Sequence, residues 1–188
     1  MESTTPPRDP RDARAELAAA DQARERLTDG LRLPSGLHPA LAVAVAVQVG
    51  TAGAGIAAQT AAGLGVLLAG LAVFLVVAAV SLHRFRSING VRVDGLASQV
   101  VLGSGGTTSS LVYLGSFGAA TWAAFESLWW LVAVASVVGG IGYALGARRW
   151  WRAYRNDPVA HAGGASPRLL AVIALIACLG FVVLVVVG

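Results

Sequence analysis

Apolar positions fill 40–58, 64–83, 109–125, 128–147 and 169–187 almost without a break, and polar positions gather in 1–38, 84–108 and 148–168. A helix rises about 1.5 Å per residue, so about 20 residues cross a hydrocarbon core roughly 30 Å thick. Each run therefore has the length of one membrane pass. The Ala/Val alternation at 40–47 has the period of a strand, but both phases are apolar and the run continues far past strand length, which favours a helix. The expected fold is all-α, an integral membrane helical bundle with five transmembrane helices. Four is the alternative if 109–125 is re-entrant or peripheral.

The stretch 109–155 sets the frame. It is apolar for almost forty residues, is interrupted near its middle by Glu126, and stops at an Arg/Trp cluster, RRWWRAYR at 148–155. Two passes joined at Glu126 make a membrane hairpin. Trp129 and Trp130 follow the turn, and Trp150 and Trp151 come about 21 residues later, a helical distance of about 32 Å. Indole rings favour the headgroup level, so the two pairs are expected to form the outer and inner aromatic belts of one helix.

The polar segments define the domains: 1–38 as a cytosolic N-terminal segment and 39–188 as the transmembrane domain. More than thirty polar residues precede the first apolar run, unlike the arrangement of a secretory signal, so the N-terminus is expected to be retained and cytosolic. Within it, 10–30 is rich in helix formers, with Ala13, Leu17, Ala20, Leu27 and Leu31 at helical spacing and Arg24 breaking the stripe. Gly30 is placed to end that helix, and Pro34 and Pro39 separate it from the bilayer. The 84–108 segment is expected to be the longest internal loop. Asn89-Gly90 between Ser87-Ile88 and Val91-Arg92-Val93 is a two-residue β-hairpin signal there. GSGGTT at 103–108 lacks the Lys-Ser/Thr and the buried strand of a phosphate-binding loop, so Thr107, Thr108 or Ser109 reads as a helix N-cap.

Composition agrees with the bilayer: 56% of the 188 residues are hydrophobic and 13% charged, where soluble domains carry about 25% charged residues. The net charge is +4, and all fourteen basic residues are Arg. With the N-terminus inside, every Arg falls in 1–38, 84–108 or 148–168, all on the cytosolic side, as the positive-inside rule requires. That placement makes the location the plasma membrane, multi-pass, with an external C-terminus, and it excludes nucleic acid as the reason for the charge. Arg148, Arg149, Arg152, Arg155, Trp150 and Trp151 are expected to contact lipid headgroups.

Candidate chemistry is sparse. His38, His83 and His161 have no acid or second His at ligand spacing, so no metal site is expected. Cys178 is alone, which excludes an internal disulfide. No nucleophile motif and no H-E-x-x-H is present, and no catalytic residue or cofactor is assigned. Gln48 and Thr51 lie in a first span rich in Gly50, Gly53 and Gly55, which suits a helix inside the bundle with Gln48 turned toward its neighbours. Gln48 and Thr51 could also line a polar path, with Glu126 as a coupling carboxylate, although an external turn suits Glu126 better. Gly142–Gly146 is a GxxxG and Gly115/Ala119 a similar pair, permitting close crossings within the chain or between copies in a homo-oligomer.

RAELAAADQARERL (14–27) before the first span, RFRSINGVRVDGL (84–96) after the second and RRWWRAYR (148–155) together resemble a group of uncharacterised actinobacterial small multi-span membrane proteins. These carry a charged Ala-rich N-terminal helix, a helical hairpin, an NGV-type cytosolic loop and a second hairpin ending in an Arg/aromatic cluster. The resemblance covers roughly 14–155 and implies fold and location without an activity; the run at 169–187 departs from the pattern. The functional expectation is a non-enzymatic platform that binds a cytosolic protein through residues 10–30, with the lipid bilayer as its other partner. A small oligomeric transporter using Gln48, Thr51 and Glu126 is the alternative.

Overall fold

The computed structural model describes residues 30–90, 94–102 and 107–157, together with Glu16, Ala18, Ala19 and Gln22. The chain divides into two compact units, 1–32 and 33–188. In the first, the four described residues between 16 and 22 are helical and exposed, and the remainder of the expected 10–30 helix, apart from Gly30, lies outside the described residues. So do the Gly-rich 103–106 stretch and the fifth apolar run at 169–187.

The second unit contains α1 (Leu37–Ala58), α2 (Ala61–Asn89), α3 (Asp94–Leu102), α4 (Thr107–Phe125) and α5 (Trp129–Asn156). Every regular element among the described residues is an α-helix, and α1, α2 and α5 are three helices long and apolar enough to cross a membrane. α4, with 19 residues, carries six Ser and Thr residues, which lower its hydropathy. The central helix is α1, packed against α2, α4 and α5, while α5 also lies along α4.

Glycine decides how closely these helices approach. α1 and α2 are joined by Gln59 and Thr60 alone, and the Thr60 hydroxyl accepts from Gly63 N–H at 3.1 Å as the N-cap of α2, supplying a partner to a first-turn donor. The two helices then run back to back because Gly55 lies against the Gly63 carbonyl, where no Cβ would fit. α4 ends in a Schellman arrangement: Leu128 N–H donates to Ala123 O at 2.8 Å and Ser127 N–H to Ala124 O at 3.1 Å. Ser127 takes the left-handed conformation at φ 58°, as the residue after a helix commonly does. The turn expected at Glu126 is thus present, and each long helix starts within three residues of its apolar run, but α2 continues to Asn89 and α5 to Asn156, past the expected ends at 83 and 147.

The 84–108 segment corrects the expectation of a loop with a β-hairpin. Asn89 is the last residue of α2, and Gly90 at φ 69° is its cap, donating from N–H to Arg86 O at 2.8 Å. The Asn89 side-chain amide also donates to Phe85 O, at 2.8 Å. Asn-Gly favours positive φ in a hairpin turn and a helix end alike, and here the helical hydrogen bonds already running through α2 decide the outcome. α3 follows, with Leu96, Ala97, Gln99 and Val100 buried. Thr107, Thr108 and Ser109 all lie within α4, so none of them is its N-cap.

Candidate functional site: a buried polar chain beneath an arginine-bearing end

Close approaches between helices fix which residues share a level. Gly140 of α5 meets Ala42 of α1, Gly50 of α1 meets Ser136, Gly53 meets Ala120 of α4, and Gly146 meets Ser109. α1 and α4 therefore run in one direction and α5 in the other. The α1–α2 turn and the α4–α5 turn share one end of the bundle. At the opposite end stand Arg84 and Arg86 from α2 and Arg148, Arg149, Arg152 and Arg155 from α5, all exposed.

A line of polar side chains leads inward from that arginine end. The buried Tyr143 hydroxyl of α5 donates to the backbone oxygens of Val100 at 2.9 Å and Gln99 at 3.2 Å, holding the C-terminal turn of α3. The Tyr143 ring meets Tyr113 of α4 edge-on at 5.9 Å and Phe74 of α2 at 6.2 Å. The Gln48 side chain of α1 lies beside the Tyr113 phenol oxygen. Four helices thus contribute to a chain Gln99–Tyr143–Tyr113–Gln48. Gln99 is 1% exposed, and both polar atoms of its amide are buried with no hydrogen-bond partner among the described residues. A polar group so placed costs about 1–3 kcal/mol.

The residues expected to form a polar path are not all brought together. Gln48 joins the chain. Thr51, three residues on, hydrogen-bonds back to the carbonyl oxygens of Val47 at 2.8 Å and Gln48 at 3.1 Å and packs against Gly70 of α2. Glu126 is exposed in the α4–α5 turn, thirteen residues beyond Tyr113 and so about 20 Å from the Gln48 level. It touches neither Gln48 nor Thr51.

The two Trp pairs prove unlike each other. Trp129 and Trp130 are 57% and 66% exposed, as belt residues have to be, but Trp150 and Trp151 are 7% and 8% exposed. Trp151 meets Phe85 of α2 edge-on at 6.1 Å, and Tyr154 stacks on both indoles, at 5.4 and 5.6 Å. This corrects the expectation that Trp150 and Trp151 contact headgroups: they form the inner face of the last turns of α5. Arg148, Arg152 and Arg155, at four- and three-residue spacing, form the outer face, with Arg149 beside them. The GxxxG glycines are likewise occupied within the chain, Gly142 by Val112 and Gly146 by Ser109 of α4.

Gln99, Tyr113 and Tyr143 were not singled out as site residues from the sequence. Leu96, Ala97, Val100 and Val101 at helical spacing signal α3, and Gln99 inside that stripe marks a buried amide. Compared with known protein families, curated proteins and solved structures, the chain matches none.

Proposed function

We propose that this chain is a non-enzymatic integral membrane protein whose arginine end faces the cytosol and serves as a docking platform for a protein partner. The observation that carries the reading is the segregation of charge. All six described arginines of the bundle stand exposed at one end, while Glu126 marks the other. A membrane protein keeps its arginines on the cytosolic side. The proposed topology has five passes in the plasma membrane: α1, α2, α4, α5 and the run at 169–187, with the N-terminus inside and the C-terminus outside. Support for α4 as a full pass comes from its continuity: it runs unbroken beside α5 from Ser109 opposite Gly146 to the Glu126 turn. The resemblance to the small actinobacterial membrane proteins supports the same location. The platform consists of the 10–30 segment, the 84–108 segment and the Arg-bearing turns of α5, where anionic lipid phosphates also collect.

The test is gentle detergent extraction of the tagged full-length protein from its own membranes, beside a version lacking residues 10–30. The expected result is a cytosolic protein recovered with the full chain and lost with the truncation. Recovery of both versions alone, or as the same homo-oligomer, rejects the platform.

One observation favours a second reading, a small transporter: the Gln99–Tyr143–Tyr113–Gln48 chain penetrates the bundle from its arginine end. Between the Gln48 level and Glu126 the described polar side chains include the buried Ser116 and Ser136, and Ser136 donates to its own helix at Val132 O, so the path is half a pathway. In a transporter, Glu126→Gln abolishes substrate flux; in a platform it leaves partner recovery unchanged.

A further inference from the structure

Between the start of α1 and the last third of α2 lies a cavity of about 220 Å³ at the arginine end. Its two ends differ in chemistry. At one, Ser35, Gly36, Ser81 and Arg84 line it; at the other, Leu37 and Ala40 of α1 face Val76, Val77 and Val80 of α2. Among the described residues no carboxylate lines it. α1 starts here with Gly36 at φ 84° as its N-cap, no side chain caps it, and its first turn contains no acid. Leu37 N–H donates to Pro34 O at 3.2 Å, and the positive end of the α1 dipole lies at the same end of the cavity as the Arg84 guanidinium. Arg84 has no ion-pair partner among the described residues. Ser81 is more than nine-tenths buried and lines the cavity beside Arg84.

We propose that this cavity holds one anionic glycerophospholipid, with its phosphate between Arg84, Ser81 and the first turn of α1 and an acyl chain along Val80, Val76 and Val73. The three valines lie on one face of α2 and are about half exposed. Arg84 and Val73 are eleven residues apart, so that face offers about 16 Å of apolar length below the cation. A free phosphate would gain nothing from the valine wall. A zwitterionic headgroup would bring its own cation against Arg84 and the helix dipole. An amphiphile with a net negative head matches both ends. The site needs the membrane placement proposed above and stands independently of the protein partner.

The test titrates the detergent-purified full-length protein with phosphatidylglycerol, phosphatidylcholine or inorganic phosphate and counts bound molecules by native mass spectrometry. One phosphatidylglycerol is expected to bind in preference to phosphatidylcholine. Arg84→Gln should weaken it about fivefold, the effect of one arginine at a membrane surface, while Arg149→Gln, an exposed arginine on another helix, leaves it unchanged. Ala40→Phe, which fills the apolar part and keeps the cation, should also lose the lipid. Equal losses from Arg84→Gln and Arg149→Gln would reduce the effect to general surface charge and overturn the site. So would equal binding of the two lipids, or displacement of phosphatidylglycerol by an equimolar amount of inorganic phosphate, which would mark a free-anion site. Alkaline carbonate extraction of the same membranes checks the placement separately: a protein released by carbonate refutes the membrane reading itself.

Discussion

Replacing Gly140 and Gly118 by alanine, one at a time, tests the helix packing on which every placement above depends. A Cβ on Gly140 would collide with the Ala42 carbonyl oxygen and come within 3.1 Å of the Ala46 Cβ. The obstacle is backbone, so relief requires α1 and α5 to move apart, not a rotamer change. Overpacking of this kind costs about 1–3 kcal/mol. A Cβ on Gly118 of α4 meets nothing within 4 Å. Both substitutions gain the same intrinsic helix preference of alanine over glycine, about 1 kcal/mol in water, and whatever its size in a micelle it cancels in the comparison. The stability difference between the two variants therefore reports packing alone, and Gly140→Ala should be the weaker by about 1–3 kcal/mol. For a chain of this size that separates the melting midpoints by about 2–12 °C, measurable by thermal unfolding in one detergent. Coincident midpoints would refute the close α1–α5 crossing and the shared level of Tyr143, Tyr113 and Gln48 that follows from it.

Three further outcomes are expected. Tyr143→Phe removes the donor to the Val100 and Gln99 carbonyls, so α3 amides should exchange hydrogen about 5- to 150-fold faster, corresponding to about 1–3 kcal/mol, while α1 amides keep their rates; unchanged exchange in α3 would show that Tyr143 does not hold it. Gln99→Leu replaces an unpartnered buried amide by an apolar side chain of similar size and should raise the melting midpoint, by about 1–2 kcal/mol of stability; a fall would mean that the amide is partnered in the folded protein. In a Cys178→Ser background, Glu126→Cys should react with an impermeant maleimide on intact cells and Arg149→Cys only after permeabilisation, and the reverse pattern inverts the proposed topology.

The four long helices could be read from the sequence because uninterrupted apolar runs leave the backbone no way to satisfy its hydrogen bonds in a membrane except internally. Their ends were less legible: the second apolar run starts at 64, while Thr60 caps α2 and the helix begins at Ala61. α3 was missed because Asn89-Gly90 signals positive φ without saying whether a strand or a helix precedes it. The Trp pairs misled for a related reason. Spacing along one helix gives a distance, and about 32 Å suits two belts, but a distance does not say which way a side chain faces. The alternation of Arg148, Arg152 and Arg155 with Trp150, Trp151 and Tyr154 carries that information, since two stripes on opposite faces cannot both meet the headgroups. Gln48 was readable as an inward-facing residue, but its partner Tyr113 was not, because the pairing depends on the α1–α4 register. That register is set by Gly53 against Ala120, a contact between small residues that leaves no periodic trace.

The same glycine contacts bear on the choice between platform and transporter. Alternating access needs an element with two arrangements, a hinge or a pair of helices that slide. In this bundle α1 is pinned on two sides by contacts involving backbone atoms: Gly55 and Gly63 fix it to α2, and Gly140 with Ala42 fixes it to α5. A shift of α1 by one residue along α2 would replace Gly55 with a side chain at a point that has no room for a Cβ. The polar chain ends against this pinned helix, at Gln48, with Thr51 next in line bonded to its own backbone. Tightly packed interfaces resist gradual deformation, and no hinge interrupts α1 between Leu37 and Ala58. The Arg-bearing turns of α5 rest on a stacked aromatic base and are held at a fixed height above that core. A surface presented in one position by a rigid bundle suits recognition by a partner better than passage of a solute, which places the weight on the platform.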